Sequence, residues 1–284
     1  MNIANIRNSG IFRMLGGQSV VGNFGNLYQE AGTFQQTANN TYHFTGAVRL
    51  NGGSLNTADS IVLGERSGKF SIGDALVLAG GELTNNALIT QTGGSLSVEK
   101  GSYSLGSLNK HSGTLSNSGT LSISSFNQSG GTSENTGSLT LGNADLSGSV
   151  HNAGTLTLTG SVTTRRGLIN RGTLHNRGSW TETSRHRISG TVNNTGSINF
   201  ADGFEFGEGR LNSSGSVQTN HASDIFASLG TNGLQDLHYV SLGSSEPQEV
   251  KTSLTEFFQR YVPGSVAESL ASHASFTDSS GYSY

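Results

Sequence analysis

One phrase keeps returning in this chain, and its period decides the architecture. From Gly113 the sequence reads roughly s-G-t-l-x-N-x-G-s-L-x-L, first as Gly113-Thr-Leu-Ser-Asn117-Ser-Gly119-Thr-Leu121, then as Gly131-Thr-Ser-Glu-Asn135-Thr-Gly137-Ser-Leu139. It comes back as Gly148-Ser-Val-His-Asn152-Ala-Gly154-Thr-Leu156 and, one residue shorter, as Gly167-Leu-Ile-Asn170-Arg-Gly172-Thr-Leu174. Two further copies are Gly190-Thr-Val-Asn-Asn194-Thr-Gly196-Ser-Ile198 and Gly209-Arg-Leu-Asn-Ser213-Ser-Gly215-Ser-Val217. The leading glycines lie 18, 17, 19, 23 and 19 residues apart, the trailing ones 18, 17, 18, 24 and 19. Looser versions start at Gly32, Gly53, Gly81 and Gly94, at intervals of 21, 28 and 13.

A period near 18 is too short for helical repeats, which run roughly 33–47 residues, and for propeller blades. The leucine-dense phrase of a leucine-rich repeat is missing. What remains is an all-β solenoid, a parallel β-helix of about ten coils, each coil holding two or three short strands stacked about 4.8 Å from the next. Leu121-Ser-Ile123, Leu139-Thr-Leu141 and Leu156-Thr-Leu158 alternate apolar and hydroxyl residues, the mark of a strand with one face in the core and one in water. Asn-x-Gly between strands fits a tight corner, because both residues tolerate left-handed backbone angles. The asparagines at 117, 135, 152, 170, 194 and 212 are then expected in one internal column, an amide ladder that satisfies backbone groups at the corners.

Composition narrows the function. Glycine is 41 of 284 residues but proline only 2, which excludes collagen. No cysteine is present, so disulfides, thiolate nucleophiles and cysteine zinc sites are excluded. The balance of 16 Lys+Arg against 19 Asp+Glu disfavours nucleic acid as a partner. The longest aliphatic run, Ala75-Leu-Val-Leu-Ala79, is far short of the roughly 20 residues of a membrane-spanning helix. The first thirty residues carry no apolar core of a signal peptide. No cofactor or metal is expected, since the histidines are scattered without ligand spacing.

After about Asn220 the phrase stops, which divides the chain into a solenoid at 1–220 and a C-terminal cap at 221–284. Val250, Leu254, Phe257, Phe258 and Tyr261 predict an amphipathic helix from about 248 to 261, ended by Pro263-Gly264. Such a helix would cover open strand edges or dock a partner, including a second copy.

The Leu/Val-x-Asn-x-Gly-x-Leu phrase of Gly94–Val217 resembles the repeats of filamentous-haemagglutinin-type proteins, and more broadly of bacterial autotransporter and two-partner-secretion passengers. The resemblance implies a right-handed parallel β-helix, export to the bacterial surface or medium, and use as an adhesin or structural rod that meets a glycan or protein receptor. The family's N-terminal secretion module is not found.

Candidate chemistry is sparse, and an enzyme is not expected. Hydrolases and lyases of this architecture need clustered carboxylates, and the one cluster is Asp202, Glu205 and Glu208 with Arg210 as an ionic neighbour. That cluster carries the alternative of a polysaccharide-degrading or tailspike-type β-helix. Hydroxyl files such as Thr120/Ser122 and Ser138/Thr140 would suit ice, but the pattern breaks at His175 and Asn199. The stronger anomaly is basic. Arg165, Arg166, Arg171, Arg177, Arg185 and Arg187 put six cations into 23 residues beside the sole tryptophan, Trp180, with Glu182 as the only acid. The stretch coincides with the long 23–24-residue interval, which reads as a loop inserted at 165–187. Arginine forks recognise sulfate, phosphate and carboxylate, and tryptophan stacks on sugar rings, so these seven residues are the candidate binding site for an acidic glycan or anionic partner.

Overall fold

A computed structural model describes residues 2–13, 21–37, 40–85, 88–166, 168–206, 209–219 and 240–241. The described strands pair in parallel and wind as a β-solenoid of about eleven turns with a period near 18. Two compact units divide the chain, Met1–Leu156 and Thr157–Tyr284. The helix expected at 248–261 and nearly all of the cap at 221–284 lie outside the described residues. The exception is the short strand Val240–Ser241, which pairs in parallel with Val217 and Gln218.

In the first unit the regular coils have three faces. Ser95–Val98, Thr114–Asn117, Thr132–Asn135 and Ser149–Asn152 stack in register on one of them. The nine-residue strands Ser102–Lys110, Thr120–Gln128 and Ser138–Leu146 supply the other two. Each bends at its middle, where the in–out alternation slips by one residue. Inward columns such as Leu105–Ile123–Leu141 are buried, each side chain contributing about 1.5–3 kcal/mol through the loss of apolar surface to water. The earliest coils are packed with rings instead. Phe24, Phe34, Tyr42, Phe44 and Phe70 interlock at centroid distances of 5.1–6.2 Å. The 28-residue interval after Gly53 has a topological cause: the segment after Leu63 adds the strand Phe70–Ile72, which pairs between Thr41–Phe44 and Ile61–Leu63.

The amide ladder is present, but it is not one column. In the first unit Asn117 donates to Asn135 at 2.7 Å and Asn135 donates to Asn152 at 2.6 Å, all three buried. In the second unit Asn176 donates to Asn194 at 2.8 Å, and Asn194 donates to the Ser213 hydroxyl at 2.9 Å. Asn212 belongs to neither ladder; it bonds Asn193. Asn170 stands apart from Asn194 too, donating to the carbonyls of Gly172 and Thr191.

The glycine series are corrected by the same geometry. Thr191 donates to the Gly172 carbonyl and Arg210 to that of Gly190, whereas Ser197 donates to Gly178 and Ser216 to Gly196. Gly190 therefore stands on Gly172, and Gly196 on Gly178, each a step of 18 residues. No loop is inserted at 165–187. The second Asn-Arg-Gly is the next corner of the same coil, between Thr173–Asn176 and Ser179–Glu182, and the phrase has advanced by one corner while the coil kept its length.

Candidate functional site

The second unit carries the basic segment on ordinary coil strands. Along Ser179–Glu182 the pattern alternates, and Trp180 and Glu182 fall on the inner face together. Trp180 is 0% exposed, and its indole N–H donates to the Thr164 hydroxyl at 2.9 Å. It packs edge-on against His186 and Phe200. The expectation that Trp180 stacks on a ligand is thus overturned: the ring is core, and no face of it reaches solvent.

Glu182 is as deeply buried as the tryptophan, yet its carboxylate is well supplied with donors. The Thr164 hydroxyl at 2.6 Å and the Leu168 N–H at 3.4 Å reach Oε2; the Ser184 N–H at 3.1 Å and hydroxyl at 2.7 Å reach Oε1. The His186 Nδ1 lies 3.7 Å from Oε2, and neither ring nitrogen of His186 has a hydrogen-bond partner among the described residues. Burial pushes the Glu182 carboxyl up, but the His186 imidazole and the Ser184 and Thr164 hydroxyls outweigh it and hold the group below its ordinary value. The donors gathered on both oxygens favour the carboxylate form of Glu182 inside the solenoid.

The strand His186–Ile188 pairs with Phe204–Phe206, His186 beside Phe204 and Arg187 beside Glu205. Alignment of glycines alone sets Arg185 and Arg187 over the two phenylalanines, which would force one stretch out of the coil; the real register is shifted by one, and both are strands. His186 and Ile188 face the core, and Arg187 faces water.

Outside this buried knot lies a groove of about 730 Å³, lined by Arg166, Leu168, Ile169, Arg171, Arg185, His186, Arg187 and Ser189. Its four arginines are exposed, and Ile169 is 46% exposed between them. His186 reaches this wall as part of its strand, since its ring is stacked on Phe200 within the core. Among the described residues that line the groove there is no carboxylate. The structure thus brings together four of the seven residues singled out in the sequence. Arg165 is exposed on the adjoining corner, and Arg177 is exposed at the corner between Thr173–Asn176 and Ser179–Glu182; neither lines the groove. Asp202 is exposed, the Glu205 backbone is in register with Arg187, and Glu208 lies outside the described residues. Sequence reasoning passed over Ile169 and the role of Glu182. The signal for the latter was present in Ser-Trp-Thr-Glu, where a tryptophan committed to the core takes the glutamate with it.

A groove walled by four arginines with an exposed isoleucine among them is suited to holding anions, because a guanidinium meets a sulfate or carboxylate through two N–H groups. No protein-family model, curated protein or solved structure matches this chain. Fold and site together define a parallel β-solenoid with a basic groove on one of its faces.

Proposed function

We propose that the chain is a non-catalytic β-solenoid of a bacterial surface or secreted protein, serving in adhesion or as a structural rod, and that it holds an acidic glycan, or an anionic partner surface, in the groove formed by Arg166, Arg171, Arg185 and Arg187. The observation that carries this reading is the groove itself, where four exposed arginines line one cavity. The whole chain is slightly acidic, so a basic concavity stands against its average charge. Exposed Ile169 offers the C–H face of a sugar ring an apolar contact. The repeat style described above supports the setting of surface or secreted adhesin.

The test is retention on a heparin-like resin at low salt. Replacing Arg166, Arg171 and Arg187 with serine is expected to bring elution to markedly lower salt, each arginine accounting for roughly 3- to 10-fold in affinity. Arg177→Ser, outside the groove, is expected to elute with the parent. Equal retention of the groove variant and the parent would remove the proposal.

A further inference from the structure

We infer that Glu182 is the positioning residue of the arginine groove, and that the groove takes a glycan bearing acidic groups on successive units, bound at both of its lips at once. This rests on the reading just given and deepens it. One lip is the corner after Ser161–Thr164, which carries Arg165 and Arg166 and enters the strand Leu168–Asn170. The other is the corner after Ser179–Glu182, which carries Arg185 and enters His186–Ile188 with Arg187. These corners lie on successive coils, yet both are tied to one carboxylate. Thr164, immediately before Arg165, donates to Oε2 at 2.6 Å, and Leu168, two residues beyond Arg166, donates to the same oxygen at 3.4 Å. Ser184, immediately before Arg185, donates to Oε1 through its hydroxyl at 2.7 Å and its N–H at 3.1 Å.

Packing alone does not require an acid here. The residue beside Glu182 in the next coil is Phe200, which fills the same inward position with apolar bulk. Burying a charge costs several kcal/mol unless donors surround it, and removing a donor leaves that cost exposed. A carboxylate that engages both corners fixes the separation of the two arginine groups before any ligand arrives. Preorganisation of this kind favours a ligand whose charges match the separation, because no loop has to be ordered on binding. A single anion meets one lip and gains nothing from the second; a linear glycan charged at each unit meets both, and the second contact forms at high effective concentration.

The experiment is a length series of sulfated heparin-like oligosaccharides, from monosaccharide to hexasaccharide, titrated by calorimetry at fixed ionic strength. For the parent chain, affinity is expected to rise by at least 10-fold at the length that first spans both lips. Ser184→Ala removes the hydroxyl bond at the second lip and leaves its N–H bond, and Glu182→Gln keeps the shape while setting an amide NH2 donor in place of one acceptor oxygen. Both are expected to flatten the step by 3- to 10-fold and to leave monosaccharide affinity unchanged, which a general loss of folding would not do. A melting curve checks each variant; should Glu182→Gln not fold, Ser184→Ala decides. An undiminished step in folded Ser184→Ala overturns the positioning role. A smooth rise with charge in the parent overturns the two-lip ligand, even where the serine variants of Arg166, Arg171 and Arg187 weaken binding. Binding that those arginine variants leave untouched removes the groove as the site altogether.

Discussion

Lys110 sits where its neighbours along the stack carry amides. It is in register with Gln91 on one side and Gln128 on the other, and all three are fully buried. Gln91 donates to the carbonyls of Gly94 and Thr114, and Gln128 donates to those of Gly131 and Ser149. Lys110 does the same work with an ammonium, donating to Gly113 at 2.9 Å and Gly130 at 3.0 Å. Its desolvation brings the pKa from 10.5 down to about 8. Between those values the unfolded chain binds the proton more tightly than the folded one, so stability rises as pH goes from about 8 to 10.5. Lys110→Gln keeps both hydrogen bonds without the charge. It is expected to raise the melting temperature at pH 7 by roughly 2–6 °C, from about 1–2 kcal/mol, and to abolish the rise above pH 8; melting curves across that range provide the check. Nothing in the repeat phrase announces this column, because glutamine and lysine read as surface residues until the coil turns them inward. Trp180 is the converse case, a residue expected to meet a ligand that the alternation of its strand drew into the core.

At the scale of strands and corners, the alternation of Leu-x-Leu and hydroxyl residues was legible because it reports a local fact about one strand. The coil was legible too, but the identity of its corner was not. A phrase that marks a bend is silent on which of three bends it marks, and at Asn176 it changes from one to another. The glycines of that phrase were given the wrong physical reason as well. Gly131 does have a left-handed backbone, with φ of 70°, but Gly137 does not; there a Cβ would run into the carbonyl oxygen of Gly119 in the coil before. Close stacking, rather than dihedral freedom, selects glycine at 137. Gly137→Ala is therefore expected to destabilise by about 2 kcal/mol or more, as overpacking against backbone does. Gly106→Ala meets nothing within 4 Å and is expected to be neutral or slightly stabilising through the unfolded chain. Urea unfolding of the pair of variants measures the contrast; equal midpoints would refute the stacking account.

For the molecule as a whole, each described coil rests on the coils immediately before and after it, with partners most often 17–21 residues away. Stability in such a stack is nearly a sum over nearest-neighbour interfaces. Damage at Gly137 is accordingly expected to lower amide hydrogen-exchange protection at residues 114–123 and 149–156 well before it reaches Tyr42–Phe44 in the aromatic coils of the same unit. Uniform loss of protection would show instead that the unit unfolds as one cooperative body. This locality is also why so much could be read from one sequence: a contact across a fixed short interval leaves a rhythm. The groove leaves none, since it depends on Glu182 facing inward while Arg166, Arg171, Arg185 and Arg187 face out.

The corner phrase can migrate while the circumference stays constant, and that has a consequence for how such a gene can change. Gaining or losing a stretch of DNA that encodes one full circuit leaves every face as it was and merely alters the tally of rungs. An indel of a third of a circuit keeps the in–out alternation but carries every later strand onto the neighbouring face, whereas one of an odd number of residues sets core positions against water. Replication slippage in whole circuits is thus a tolerated route to variants of different reach, and the arginine-bearing rungs can be copied by the same accident.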